Sequence, residues 1–315
     1  MSGALERVVS ARLADGRTLN LLELGSLTFA MSRAKWLRSL LVAAISLLVT
    51  VAGCSQLAQK ERELVFRIEP GIAGWYSGLP SGVEEIEIPV NGDQHMHAWW
   101  WPAARANAPA VLYLHGSRWN LTGQLFRIAQ LHDFGFSVVA IDYRGFGKSK
   151  GDLPSEETVY QDAQAAWARL VALQPDPSRR YIYGHSLGGA VAVDLAYKLA
   201  RLDGAPHAAG LVVESSFTTL GDVAEVVVNT RWPIRWLLSQ KFDSVQKIAD
   251  VRVPVLFVHG TEDRHVPARF SETLYAAAAS PKKLLFVEGG THNNSMRHGS
   301  VEYRAALREL FGLPL

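Results

Sequence analysis

The chain has 315 residues, 48% of them hydrophobic and 20% charged, a composition that belongs to folded proteins and excludes disorder as the overall state. Lysine and arginine total 32 against 30 for aspartate and glutamate, so the net charge of +2 offers no field that would draw nucleic acid, and none is expected as a partner. The single cysteine, Cys54, excludes an intramolecular disulfide and any multi-cysteine zinc or iron–sulfur site.

Residues 1–30 carry no clear element and precede a good start at Met31, so they are expected to be an upstream extension. Arg33, Lys35 and Arg38 then lead into an uncharged run. Its apolar heart, residues 40–52, is shorter than the about 20 residues that a membrane-spanning helix needs. Basic, then apolar, then small residues is the order of a secretory signal, and this one closes on Val51-Ala52-Gly53-Cys54. The segment resembles a bacterial lipoprotein signal, in which a small residue precedes a cysteine that is diacylated and becomes the mature N-terminus. The resemblance implies a signal over residues 31–53 and lipidation of Cys54. Ser55, where aspartate would retain the protein, leans toward the outer membrane of a bacterial envelope, on its periplasmic side. Each buried methylene of an acyl chain adds about 0.8 kcal/mol, so several chains on one residue anchor far more firmly than one. The alternative is an uncleaved signal anchor with an incidental cysteine, weakened by Ser46 and Thr50 inside the apolar run.

From Cys54 onward the pattern predicts one α/β domain, residues 54–315. Glu85-Ile86-Glu87-Ile88 and residues 97–101 read as an antiparallel pair joined through a turn at Asn91-Gly92. Trp99, Trp100 and Trp101 fit packing within that sheet better than a ligand platform. Short apolar runs at 110–114, 137–141, 181–183, 211–213, 255–258 and 284–287 read as fully buried parallel strands. Helical stretches fall between and after them, around 121–133, 156–173, 188–202, 266–279 and 301–311. Such alternation implies a mostly parallel sheet covered by helices on both faces. Residues 217–241, with Trp232, Pro233 and Trp236, break the rhythm. They form either a small cap that would give a substrate an apolar wall, or a crossover helix broken by proline.

The pattern Gly-x-Ser-x-Gly occurs twice, around Ser149 and around Ser186. Nucleophilic chemistry needs the serine on a sharp strand-to-helix turn with small neighbours. Ser186 follows Tyr181-Ile182-Tyr183 and precedes an alanine-rich helix, whereas Ser149 lies in a loop rich in glycine and charge. Ser186 is therefore the expected nucleophile. A serine hydroxyl is too weakly acidic to attack unaided, so a histidine must take its proton and an acid must orient that histidine. Asp263 stands just past the run ending Val258-His259-Gly260, and His292 follows the next run through Gly289-Gly290-Thr291. The order Ser, Asp, His, each beyond the carboxyl end of a strand, brings distant residues to one rim.

On Gly184-His185-Ser186-Leu187-Gly188-Gly189, Asp142-Tyr143-Arg144-Gly145-Phe146-Gly147-Lys148-Ser149, His259-Gly260-Thr261-Glu262-Asp263 and Gly290-Thr291-His292, the chain resembles the alpha/beta-hydrolases over about residues 60–315. Among their branches it is most similar to the serine aminopeptidase-like and depalmitoylase-like lineages. That resemblance implies an oxyanion hole made by the backbone N–H groups of Leu187 and, in the loop His115-Gly116-Ser117, of Ser117 in preference to Gly116. It implies a serine hydrolase that cleaves a small-molecule acyl ester or thioester through an acyl-enzyme, with no metal or organic cofactor. Peptide hydrolysis by the same triad, or a non-catalytic envelope scaffold, are the alternatives.

Several residues compete for these roles. His298 is the second candidate for the base, and His265 stands too close to Asp263 to reach Ser186 independently. His185 points elsewhere on the turn, as a structural residue. Glu214, after the sixth apolar run, is the competing acid. Asp142 is expected to hydrogen-bond the loop that follows it. His95 and His97 share a strand face and could touch one metal, but no third ligand stands near them in sequence.

Overall fold

The computed structural model describes residues 11–12, 18–19, 21–202, 204, 207–228 and 234–314. Trp232 and Pro233 of the expected cap, and residues 1–10, 13–17 and 20 of the expected extension, lie outside the described residues. The chain divides into two compact units, Met1–Gln59 and Lys60–Leu315.

In the first unit Ala11–Arg12 pairs antiparallel with Thr18–Leu19, and a helix, α1 (Leu21–Val65), begins before Met31. No element was expected there, but Leu21-Leu22-Glu23-Leu24 and the residues after it include no proline and only one charge before Arg33, so nothing stops a helix from starting early. Nor does the helix stop with the apolar heart. The uncharged residues continue to Gln59, and Arg38–Val65 is, by length and composition, long and apolar enough to cross a membrane, with a mean hydropathy of 2.1 over an 18-residue window within it.

The second unit is built on eight strands: β1 (Glu84–Asn91), β2 (Gln94–Trp101), β3 (Ala110–Leu114), β4 (Ser137–Ile141), β5 (Arg180–His185), β6 (Gly210–Glu214), β7 (Val255–Gly260) and β8 (Lys282–Val287). Their order across the sheet is β1-β2-β4-β3-β5-β6-β7-β8. β2 pairs antiparallel with β1 and β4, and every other pair is parallel. The turn between β1 and β2 uses Gly92 at φ 58°, which glycine reaches without strain.

The central strands are buried on both faces because alternate residues feed two cores. Leu112, Leu114, Val139, Ile141, Ile182 and Val213 pack on one side. Val111, Tyr113, Val138, Tyr181, Tyr183 and Val258 pack on the other. The first core is completed by α3 (Glu156–Leu173), α4 (Leu187–Arg201), α6 (Ser244–Ile248) and α7 (Arg269–Ala277), the second by α2 (Leu121–Asp133) and α9 (Ser300–Phe311). Helix starts are capped where the sequence places small polar residues: Asn120 accepts from Thr122 N–H, and Ser155 forms a capping box with Thr158. Between β6 and α6, the described residues of 217–241 supply α5 (Leu220–Val228) and a 3-10 turn, Ile234–Trp236. A short helix, α8 (Ser295–His298), precedes α9. Trp99 is buried and stacks on Tyr76, while Trp101 stacks on His132, so both pack as sheet residues.

Candidate active site

Register decides what meets at the sheet's rim. Leu114 lies opposite Gly184, so the loop leaving β3 and the turn leaving β5 emerge side by side. Glu214 lies opposite His185, and Val258 opposite Glu214. β7 and β8 run parallel as far as Gly260 beside Val287, and from there their loops carry Asp263 and His292.

Ser186 caps α4 with φ 55° and ψ −121°, a backbone state that costs a non-glycine residue free energy and throws its side chain out at the tip of the turn. Its hydroxyl makes no cap bond to the helix, which leaves both the hydroxyl and the first N–H groups of α4 for other partners. The main chain around it is held: Ser186 N–H donates to Glu214 O at 2.9 Å, and Ser216 Oγ donates to Ser186 O at 2.9 Å. Glycines flank the serine for lack of room. A Cβ on Gly188 would stand 2.0 Å from Leu114 O, and one on Gly184 would stand 2.1 Å from Gly188 O.

The loop after β3 packs directly on this turn, since a Cβ on Gly116 would be 3.3 Å from Ser186 Cβ and 3.4 Å from His185 Nδ1. Buried His115 reaches Gly116 O with Nδ1 at 2.7 Å, so Nδ1 carries the hydrogen and donates. Gly116 O and Ser117 N–H belong to one planar trans peptide and point opposite ways. The imidazole therefore fixes the direction of the Ser117 N–H. Burial lowers the His115 pKa, with Asp142 and the Gly116 bond opposing it, so the ring stays neutral.

Asp263 and His292 are in contact: His292 Nδ1 lies 2.7 Å from Asp263 Oδ2. The Asp263 side chain is fully buried. Its Oδ1 accepts from the N–H groups of His265 and Val266, each at 2.9 Å, and His259 Nε2 stands 3.3 Å from Oδ2. Burial alone would raise its pKa, but the bonds from His259 and His292, the charge of His292 and the Val266 N–H together hold it well below the usual carboxylate range. His259 is itself tied, Nδ1 to Ser271 Oγ at 2.7 Å and Nε2 to Val266 O at 2.8 Å.

His292 is also held by its main chain. Its carbonyl lies 2.9 Å from His185 Nε2 and accepts from Arg127 Nη2 at 3.0 Å, and the His185 and His292 rings pack with centroids 4.8 Å apart. The loop from β8 thus crosses the end of β6 and reaches the residue preceding Ser186. Below it lies a polar cluster that is buried throughout. Glu214 accepts from Ser295 Oγ at 2.7 Å, Tyr303 Oη at 3.3 Å, Arg127 Nη2 at 3.5 Å and Tyr183 Oη. Glu214, the competing acid, is therefore committed to supporting the loop from beneath.

The other rivals are also occupied. Ser149 Oγ donates to Asp142 O at 2.6 Å and accepts from His97 N–H at 2.8 Å. Asp142 bonds the loop after it, as expected, through its carbonyl and Ser149 Oγ, and its carboxylate accepts from Leu121 N–H at 2.8 Å and lies 3.2 Å from His97 Nδ1. The following loop also packs on this carboxylate, since a Cβ on Gly147 would stand 2.2 Å from Asp142 Oδ2. His97 also meets Glu85, at 3.1 Å. Among the described residues no three histidine, cysteine or acidic side chains are grouped to hold a metal. His298 lies beside Gly289, and the His265 ring is 5.4 Å from that of His292.

The contributions of Arg127, His259, Ser295 and Tyr303 were not read from the sequence. One of them left a signal. Arg127 occupies the apolar stripe of α2 with Leu121, Ile128 and Leu131, where a cation needs a buried partner.

The family described as serine aminopeptidase, S33, matches residues 106–246. The chain is 36% identical over 261 residues to the Mycobacterium tuberculosis protein Rv2307c, covering 82% of this chain and 89% of that one. It is 28% identical over 280 residues to the Arabidopsis thaliana alpha/beta hydrolase domain-containing protein WAV2, covering 81% and 88% of the two chains. The solved structure of the Pyrococcus furiosus esterase Pf2001 shares the fold with a TM-score of 0.63 at 18% identity, covering 78% of this chain and 98% of that one.

Proposed function

Because the chain belongs to the alpha/beta-hydrolases, among relatives of the serine aminopeptidase family, we propose that it is a membrane-anchored serine hydrolase that cleaves carboxylic esters or thioesters through an acyl-enzyme. The observation that carries this reading is the 2.7 Å bond from His292 Nδ1 to buried Asp263, in a loop whose imidazole packs on the residue before Ser186.

With Nδ1–H given to Asp263, the lone pair of His292 is on Nε2, ready to take a proton. Ser186 Oγ bonds to the acyl carbon as His292 accepts the hydroxyl proton. The tetrahedral oxyanion is met by the N–H groups of Leu187 and Ser117; one such donor is typically worth about 3–4 kcal/mol. Collapse expels the alcohol or thiol, which takes the proton from His292. Water, deprotonated in turn by His292, then attacks the acyl-enzyme, releasing the acid and restoring the serine. Asp263 stays ionised and stabilises the imidazolium at each stage.

The proposed anchor is Cys54, diacylated and made the mature N-terminus by removal of the signal over residues 31–53, on the periplasmic side of an outer membrane. Mass spectrometry of the mature N-terminus is expected to find acylated Cys54; a mature chain that retains the residues before it would overturn lipidation. The matched family's description favours one second reading, amide cleavage by the same triad. A graded panel of p-nitrophenyl esters, acyl thioesters and aminoacyl anilides tests the proposal. Ester or thioester turnover that vanishes in Ser186→Ala is expected. Turnover of anilides alone would make the protein a peptidase, and no turnover by folded protein would make it a scaffold.

A further inference from the structure

The excursion between β6 and α6 is pinned at its base. Leu220 N–H donates to Lys241 O at 2.8 Å, and the N–H groups of Ser244 and Val245 reach Thr218 O at 2.9 and 3.1 Å. Inside it Arg235 bonds Glu225 at 2.8 Å and Asp222 at 3.1 Å, fastening the 3-10 turn to α5. Phe217 and Leu220 at its base are buried in the core, while other large apolar groups, among the described residues, are left in solvent. Val227 is 72% exposed, Val228 58%, Trp236 80% and Leu237 70%. A concentration of exposed apolar side chains on one pinned element marks a contact surface.

A second observation says what covers it. Glu61, at the domain's entry, is buried, and its carboxylate accepts Ser239 N–H, Ser239 Oγ–H and Gln240 N–H, each at 2.7 Å. The chain entering the domain is thus clamped just beyond Leu237. Preceding the clamp, residues 39–59 carry no charge. An acylated Cys54 would stand about seven residues before Glu61, roughly 10 Å of helix or 25 Å of extended chain. An uncleaved helix would leave the bilayer at Lys60, the first charge it reaches. Either anchor keeps the clamped excursion close to lipid.

The geometry points to Val227 and Val228 of α5 and Trp236 and Leu237 of the 3-10 turn as a membrane-docking surface that enters the interfacial layer of the bilayer that anchors the chain. Tryptophan favours that layer, and aliphatic neighbours add buried apolar area. The excursion leaves β6 beside the nucleophile turn, where Ser216 Oγ donates to Ser186 O, so docking holds that end of the sheet close to the lipid surface. Acyl substrates drawn from the bilayer then reach Ser186 without crossing water.

The inference rests on the membrane anchoring proposed above, and its test separates the two. A nitroxide is carried on oxime-linked p-acetylphenylalanine at position 227 or 236 of the full chain in phosphatidylcholine–phosphatidylglycerol vesicles. A third label replaces Val301, which is 79% exposed on α9, as the aqueous reference. The ratio of oxygen to nickel-chelate accessibility is expected to be severalfold higher at 227 and 236 than at 301. Equal ratios at the three sites in chains that float with the vesicles would overturn docking while anchoring stands. Chains that do not float overturn anchoring and docking together. Fluorophosphonate labelling of Ser186 in the same samples reports on the hydrolase chemistry independently of both.

Discussion

Asp263 is bound to His292 at 2.7 Å and shut off from solvent, with its second oxygen filled by two backbone N–H groups. A carboxylate so confined has one side chain to orient, the imidazole of His292, since the other imidazole beside it, His259 at 3.3 Å, is fixed by its own bonds to Ser271 and Val266. Asp263→Asn removes the charge and favours the wrong imidazole tautomer. It is expected to lower kcat on the order of 10⁴-fold with little change in KM. Glu214→Gln, beneath the loop, is expected to cost far less in kcat. Steady-state rates on a short-chain ester check both, and a larger loss in Glu214→Gln would make Glu214 the acid.

Arg127 and Glu214 face each other at 3.5 Å with neither side chain open to solvent. Removing one member leaves the other charge buried and unpaired. Arg127→Met is expected to destabilise the domain by about 3–5 kcal/mol, and adding Glu214→Gln should return part of that loss. Urea unfolding of the two single variants and the double variant measures this coupling; additive losses would contradict it.

Burial, reinforced by the charges of Arg127 and His292, holds the His185 pKa well below the ordinary imidazole value. The folded chain therefore keeps this ring neutral where the unfolded chain takes up a proton, below about pH 6.5. Its contribution is fully present above that pH and is lost as the pH falls toward the folded value, by up to about 1.4 kcal/mol per pH unit. His115 adds a second loss of the same sign. Urea melts from neutral pH down to pH 5 should show stability falling, and His185→Gln should fall less steeply. An unchanged slope in the variant would assign the loss to other groups.

His115 touches no reacting atom, but it holds the carbonyl of the Gly116–Ser117 peptide at 2.7 Å. His115→Leu frees that peptide to rotate and misaims one oxyanion donor. A fall in kcat of about tenfold to a hundredfold with KM nearly constant is expected, less than complete loss of a donor. A change confined to KM would give His115 a role in substrate binding instead.

The strands and most helices were legible because the central sheet is buried on both faces, so its strands appear as unbroken apolar runs such as Val255-Leu256-Phe257-Val258. The positions of Ser186, Asp263 and His292 at the strand ends, and the contact between the last two, were legible because each stands just past such a run. Three features were not. The early start of α1 was missed although Asn20, with Glu23 three residues on, is a helix-start signal, because Gly25, Ser26 and Thr28, weak helix formers, follow it. Asp142 does bond the loop after it, but the further partners of its carboxylate, at β2 and the start of α2, are distant in sequence and were not read. The cluster of Arg127, Tyr183, Glu214, Ser295 and Tyr303 joins five elements, and no local spacing links such residues before the chain folds.

Mass spectrometry of the chain after reaction with a fluorophosphonate measures the nucleophile directly. One adduct on the peptide containing Ser186, absent from Ser186→Ala, is the predicted result. An adduct on Ser149 or another residue, or undiminished labelling of the variant, would contradict it.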